Sequence, residues 1–193
     1  MGELIRRPAT MSAKNALLWG MFWMLGGAIL EWHFALVPTS SVGYTWGSAT
    51  LPSYVIYGVV IWVALALPTL LVVWLARRGV AAWEVFGRML FAHMPVTLLM
   101  LPAMFGDKVA YSTFMLSPFS SQLSTAYSGW LSLYVVAILV WYLYWSYVAF
   151  RCVTQFKGWS GVIVFGVTTT ISYLFSEYAI GALVKMWADK YNI

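Results

Sequence analysis

The sequence predicts an all-α polytopic membrane protein, a single domain folded as a bundle of five transmembrane helices. Three observations predict it. Of the 193 residues, 62% are apolar and 9% are charged, against roughly 45–50% and about 25% in a soluble domain. The apolar residues form long continuous runs, not the alternating pattern of a lipid-facing barrel. The few charges stand singly or in pairs at the ends of those runs. Together these features exclude a soluble globular enzyme, a disordered chain and a collagen-like repeat.

Crossing a hydrocarbon core of about 30 Å takes roughly 20 helical residues. Helix one is expected at Ala16–Val37, after Arg6, Arg7 and Lys14. Its apolar run is too long for a typical signal-peptide core and no A-x-A site follows it, so it is expected to stay as a signal-anchor. Pro38, Gly43, Gly47 and Pro52 supply turn chemistry before helix two at Tyr54–Ala76. Residues 77–88, RRGVAAWEVFGR, repeat Val80, Trp83 and Phe86 about every third position. That pattern fits a short helix lying in the cytoplasmic interface or an early start of helix three, expected at Arg88–Phe105. Gly106 and Pro118 mark the connection to helix four at Tyr127–Phe150, and Gly158 turns into helix five at Trp159–Val184. Pro68, Pro95 and Pro102 are expected to kink helices two and three, which membranes tolerate. Short connections imply antiparallel neighbours throughout.

Orientation follows from the basic residues, which concentrate in cytoplasmic loops. Arg6, Arg7, Lys14, Arg77, Arg78, Arg88, Arg151 and Lys157 fall on one side; Lys108, Lys185 and Lys190 fall on the other. Eight against three puts the N-terminus in the cytoplasm and the C-terminus outside, the arrangement expected in a bacterial inner membrane. Tryptophan prefers the headgroup level. Trp19, Trp74, Trp83, Trp145 and Trp159 fall near the inner boundary, and Trp32, Trp46, Trp130 and Trp187 near the outer one. Trp23, Trp62 and Trp141 lie deeper. The net charge of +5 is thus topogenic, and no dense basic patch points to nucleic acid.

Catalytic and cofactor chemistry finds little purchase. Gly158-Trp159-Ser160-Gly161 matches the G-x-S-G pattern around a rhomboid protease serine, but no histidine follows His93, and serine needs a base. His33 and His93 are the only histidines, at different depths, so they suit neither bis-histidine haem nor zinc. Cys152 stands alone, which excludes an intramolecular disulfide. No cofactor or metal is expected. The ten methionines read as adaptable packing.

Glu31 and Glu177 stand out because topology does not require them. Each sits inside an apolar run near an outward helix end, where acids face a bundle interior, a partner or a cavity. They are expected to form either a shared proton or cation site or two separate structural acids. His33 and Thr169 are the nearest polar candidates to join them. Thr168, Thr169, Thr170 and Ser172 make a polar band in helix five, suited to bonding back to helix carbonyls or across to a neighbour. Ser12, Ala16 and Gly20 form a small-residue stripe for close helix contact within the bundle or with another chain.

The layout resembles the Yip1-domain family. The likeness lies in the basic-Gly loop Arg77-Arg78-Gly79 through Phe86, Gly87 and Arg88 to Ala92-His93-Met94-Pro95. It continues in the helix-four exit, Trp141 through Tyr147 to Phe150-Arg151-Cys152-Val153, followed by Gly158. The resemblance implies five close-packed helices. Eukaryotic members associate with prenylated Rab GTPases and carry a long N-terminal region with a DLYGP-type motif; neither feature is present here, so that role does not carry over. The short form is similar to prokaryotic members. The resulting expectation is a non-enzymatic adaptor, assembly factor or accessory subunit, contacting lipids and another membrane protein or itself. The alternative is a small transporter or channel component using Glu31 and Glu177.

Overall fold

A computed structural model describes residues 7–38, 44–46, 50–102, 111, 114 and 125–191. A single turn, α1 (Arg7–Thr10), precedes α2 (Ala13–Phe34), which is helix one. Ser12 starts α2: its backbone is extended and its side chain accepts a hydrogen bond from the Asn15 N–H at 3.2 Å, satisfying a donor the helix leaves open. Ala35, at φ 52°, caps it, so the helix ends at Phe34, three residues short of the expected Val37. The chain then pairs as an antiparallel ribbon, β1 (Leu36–Pro38) with β2 (Tyr44–Trp46), in the register Leu36 to Trp46 and Val37 to Thr45. Three residues are too few to show alternation, so the all-α expectation missed this ribbon. Gly43 and Gly47 lie outside the described residues.

Helix two is α3 (Leu51–Leu75), with Pro52 in its first turn and Pro68 inside a helix that continues through it. Helix three differs most from expectation. It starts early, as α4 (Ala82–Ala92), so residues 77–81 form the turn and no separate interfacial helix precedes it. It then breaks at His93 and resumes as α5 (Met94–Thr97) and a 3-10 turn over Leu98–Met100. Pro95 has no N–H to give the preceding turn and its ring crowds that turn's carbonyl, which accounts for the interruption. The remainder of the expected helix, residues 103–105, lies outside the described residues, as do Gly106, Lys108 and Pro118.

Helix four is α6 (Thr125–Thr154) and helix five is α7 (Gly158–Tyr191). Their 30 and 34 residues give lengths of about 45 and 51 Å at 1.5 Å per residue, so both outrun the hydrocarbon core. Gln155 and Gly158, at φ 59° and 63°, make the turn between them. Among the described residues, three helices are long and apolar enough to cross a membrane: Leu51–Leu75, Tyr127–Thr154 and Gly158–Met186.

The tightest packing pairs α2 with α4. A Cβ added to Gly87 would fall 2.9 Å from Leu17 Cβ, one on Gly20 would fall 2.8 Å from Leu90 Cγ, and one on Gly27 would fall 3.5 Å from Thr97 Cγ2. Residue numbers rise together along both helices, so these neighbours run parallel, against the antiparallel expectation. Beyond this pair, α3 packs on α2, α4 and α7, while α6 packs mainly on α4 and α5. The Trp62 indole donates to the Phe86 carbonyl at 2.8 Å, tying α3 to α4. Trp145 is buried and stacks on Phe91 with centroids 5.1 Å apart, so it is a core residue and not part of the inner belt. Buried side chains divide into two clusters, one around Tyr54, Tyr57 and Leu99, the other around Val85, Phe91 and Trp145.

Candidate functional site

The helix-three break forms one wall of a cavity of about 40 Å³ between α2 and α3. Glu31, His93, Thr97, Trp23 and Trp62 line it, with Gly27 at the level of Thr97. Glu31 is only 7% exposed. His93 Nδ1 is buried with no hydrogen-bond partner among the described residues, and the ring meets Tyr142 edge-on at 5.4 Å. Thr97 Oγ1 donates to the Met94 carbonyl at 2.7 Å. Glu31 and His93 thus line the same cavity, which sequence distance concealed.

Glu177 is elsewhere. It is exposed on α7, a helix whose main packing partner is α3. Between α6 and α7 lies a groove of about 410 Å³, lined by Leu139, Tyr142, Phe165, Thr169, Thr170 and Tyr173. These two helices make few close backbone approaches and meet through Phe165, which contacts the Tyr147 and Phe150 rings at 5.3 and 5.6 Å. At 100° per residue, Gly166, Thr170, Tyr173 and Glu177 fall on one face of α7, so the carboxylate continues the line of the groove.

The remaining candidates take local roles. His33 is exposed and packs edge-on against Phe34 at 4.8 Å. Ser12 caps α2, whereas Ala16 and Gly20 are buried within the bundle. Thr168 and Thr170 donate to the Val164 and Gly166 carbonyls at 2.7 and 2.9 Å, and Ser172 Oγ reaches the Leu65 carbonyl at 3.5 Å. Ser160 Oγ donates to the Lys157 carbonyl at 3.0 Å as an exposed turn residue. Among the described residues, no three of His, Cys, Asp and Glu gather as a metal-ligand set.

Arg88 has a packing role that charge counting does not show. Its guanidinium is buried, pairs with Glu84 at 3.0 Å and donates to the Pro8 and Met11 carbonyls at 2.7 and 3.2 Å. It fastens the N-terminal turn to α4. The available signal was the Glu84–Arg88 spacing of four, which places both on one helix face.

The composition, the three span-length helices and a core built within the bundle define a helical membrane protein. No family model matches the chain, and neither does any curated protein or solved structure in the comparisons made.

Proposed function

We propose that the chain is a non-enzymatic integral membrane protein that acts through lateral helix contacts, as an adaptor, assembly factor or accessory subunit. In this reading all five hydrophobic segments cross a bacterial inner membrane, with the N-terminus cytoplasmic and the C-terminus outside. The likeness to short Yip1-domain proteins belongs to the same proposal. The observation that carries it is the splayed α6–α7 pair. A transporter needs a polar path through its bundle; here the interior is packed and the large open space is lateral, about 410 Å³ in volume. Small and hydroxyl residues on the α7 side, Gly166, Thr169 and Thr170, suit the close approach by which membrane helices associate. Glu177 adds a hydrogen-bond acceptor at the outward end of that face. The transport reading, with Glu31 and Glu177 in one path, has less support because one acid is buried on α2 while the other is exposed on α7.

The test is purification in gentle detergent followed by mass spectrometry of co-purifying proteins, comparing the natural chain with Thr170→Leu and Glu177→Gln. A stoichiometric membrane partner that is lost when the groove is filled supports the adaptor reading. A partner-free chain that drives ion-dependent flux in liposomes overturns it.

A further inference from the structure

We propose that the end of the bundle where α3 turns into α4 and α6 turns into α7 is a binding site for an anionic phospholipid, whose phosphate is held between Arg77 and Arg78 on one turn and Lys157 on the other. The inference rests on the chain lying in a bilayer. It uses none of the residues that line the α6–α7 groove, so it and the reading of that groove as a partner site fail separately.

The two turns are far apart in sequence and meet in the fold. Arg78 Nη1 comes within 3.5 Å of Gln155 Oε1, so Lys157, two residues past Gln155, joins the end that Arg77 and Arg78 occupy. Each turn is closed by a long polar residue in the left-handed region, Arg77 at φ 52° and Gln155 at φ 59°. In the first, the Arg78 N–H reaches back to the Val73 carbonyl at 3.0 Å, a closure that usually places glycine where Arg77 stands. Arg77, Arg78 and Lys157 are exposed, and among the described residues none of them pairs with a carboxylate. The one acid described at this end, Glu84, is taken by Arg88 at 3.0 Å. Arg151, lying over the Tyr147 ring at 5.7 Å, adds a further positive charge at the end of α6.

Depth selects the occupant. Ser172 of α7 meets the Leu65 carbonyl near the middle of α3, and from that level both helices run toward this end. Trp74 lies nine residues beyond Leu65 and Trp159 thirteen before Ser172, about 14 and 20 Å away at 1.5 Å per residue. A hydrocarbon core of about 30 Å ends about 15 Å from its centre, and the headgroup layer reaches about 20–22 Å. The arginines and Lys157 therefore stand in the phosphate layer. Trp74 and Trp159, 70% and 82% exposed, stand at the headgroup level that tryptophan prefers. Closer to the bilayer centre Leu71, Leu75, Val162 and Ile163 stay exposed, an apolar surface for acyl chains. Basic pockets between membrane helices bind acidic lipid headgroups, and guanidinium N–H groups match phosphate oxygens in geometry as well as charge. A soluble phosphate would use the charges but not the apolar surface beside them.

The experiment is native mass spectrometry of the full chain released from nanodiscs that hold equal amounts of phosphatidylglycerol and phosphatidylethanolamine. The two lipids carry the same acyl chains and differ in net headgroup charge. The natural chain is expected to retain phosphatidylglycerol in preference. Arg78→Gln and Lys157→Gln should each lower that preference about fivefold, the effect of one basic residue near a lipid surface. Lys14→Gln removes an equally exposed charge from the first turn of α2 and should leave the preference unchanged. All three positions are exposed, and thermal unfolding in detergent checks that each variant stays folded. Equal retention of the two lipids by the natural chain overturns the proposal. So does a fall in Lys14→Gln as large as that in Arg78→Gln, which would mean diffuse attraction to a basic surface. Displacement of the lipid by inorganic phosphate at matched concentration also overturns it, in favour of a soluble anion.

Discussion

Replacing Gly87 by alanine measures how closely helices one and three must approach. The new Cβ would lie 2.9 Å from Leu17 Cβ and 3.0 Å from both Leu17 Cα and the Leu17 backbone nitrogen. Two of those three atoms belong to backbone, so no rotamer change relieves the clash and α2 must move away from α4. Gly26→Ala is the matched control. It is the same chemical change in an adjacent helix, and nothing lies within 4 Å of the added atom. Helix propensity favours alanine over glycine by roughly 0.5–1 kcal/mol in both, so that contribution cancels in the comparison. Overpacking costs about 1–3 kcal/mol, and Gly87→Ala is expected to be less stable than Gly26→Ala by that amount. The assay is equilibrium unfolding of the purified protein in mixed detergent micelles, followed by tryptophan fluorescence. Trp145, stacked on Phe91, reports on the same helix-three packing. Equal stability of the two variants would refute the parallel, glycine-mediated contact between helices one and three.

Arg88→Met should release the N-terminal turn. It removes one ion pair and two bonds to the Pro8 and Met11 carbonyls, at about 1.5–3 kcal/mol for hydrogen bonds to a charged group, and limited proteolysis should cut faster around residues 7–12 with α4 still protected. Trp62→Phe keeps the ring but loses the 2.8 Å bond to the Phe86 carbonyl; a loss of about 0.5–1.5 kcal/mol is expected in the same unfolding assay, and no loss would mean the bond contributes nothing net.

Hydropathy located the helices because a span must be apolar over its full length: α6 and α7 contain the expected runs, while α2 and α3 cover most of theirs. It could not show which face of a span is buried. In lipid both faces are apolar, so the periodicity that exposes the core side of a soluble helix is absent. Trp145 illustrates this: its position near an inner boundary suggested anchoring, yet it faces Phe91 inside the bundle. Arg88 illustrates a second limit, since a basic residue at a span end reads as a topology marker until the chain about eighty positions earlier folds back onto it. The Glu31–His93 cavity depended on a third, the parallel pairing of helices one and three, which no loop length indicates.

The hydroxyls of helix five show how one sequence feature serves two surfaces. Read along the chain, Thr168, Thr169, Thr170 and Ser172 form a single polar band. On the helix they separate, because each residue advances about 100°. Thr168, Ser172 and Ser176 are buried and Ile180 is buried in line with them, a spacing of four that packs α7 on α3. Ser172 reaches the Leu65 carbonyl across that seam, near Pro68, where the helix lacks one donor. Thr169 and Thr170 instead turn toward the groove with Gly166 and Tyr173. Small residues on one face let α7 approach α3 closely, which is how helices associate where lipid removes the hydrophobic drive. The second face offers the same small and hydroxyl chemistry, but α6 stands away from it. A helix already held on its first face by this kind of contact therefore presents a second seam of similar make, and the proposed partner helix would dock there by the same physics.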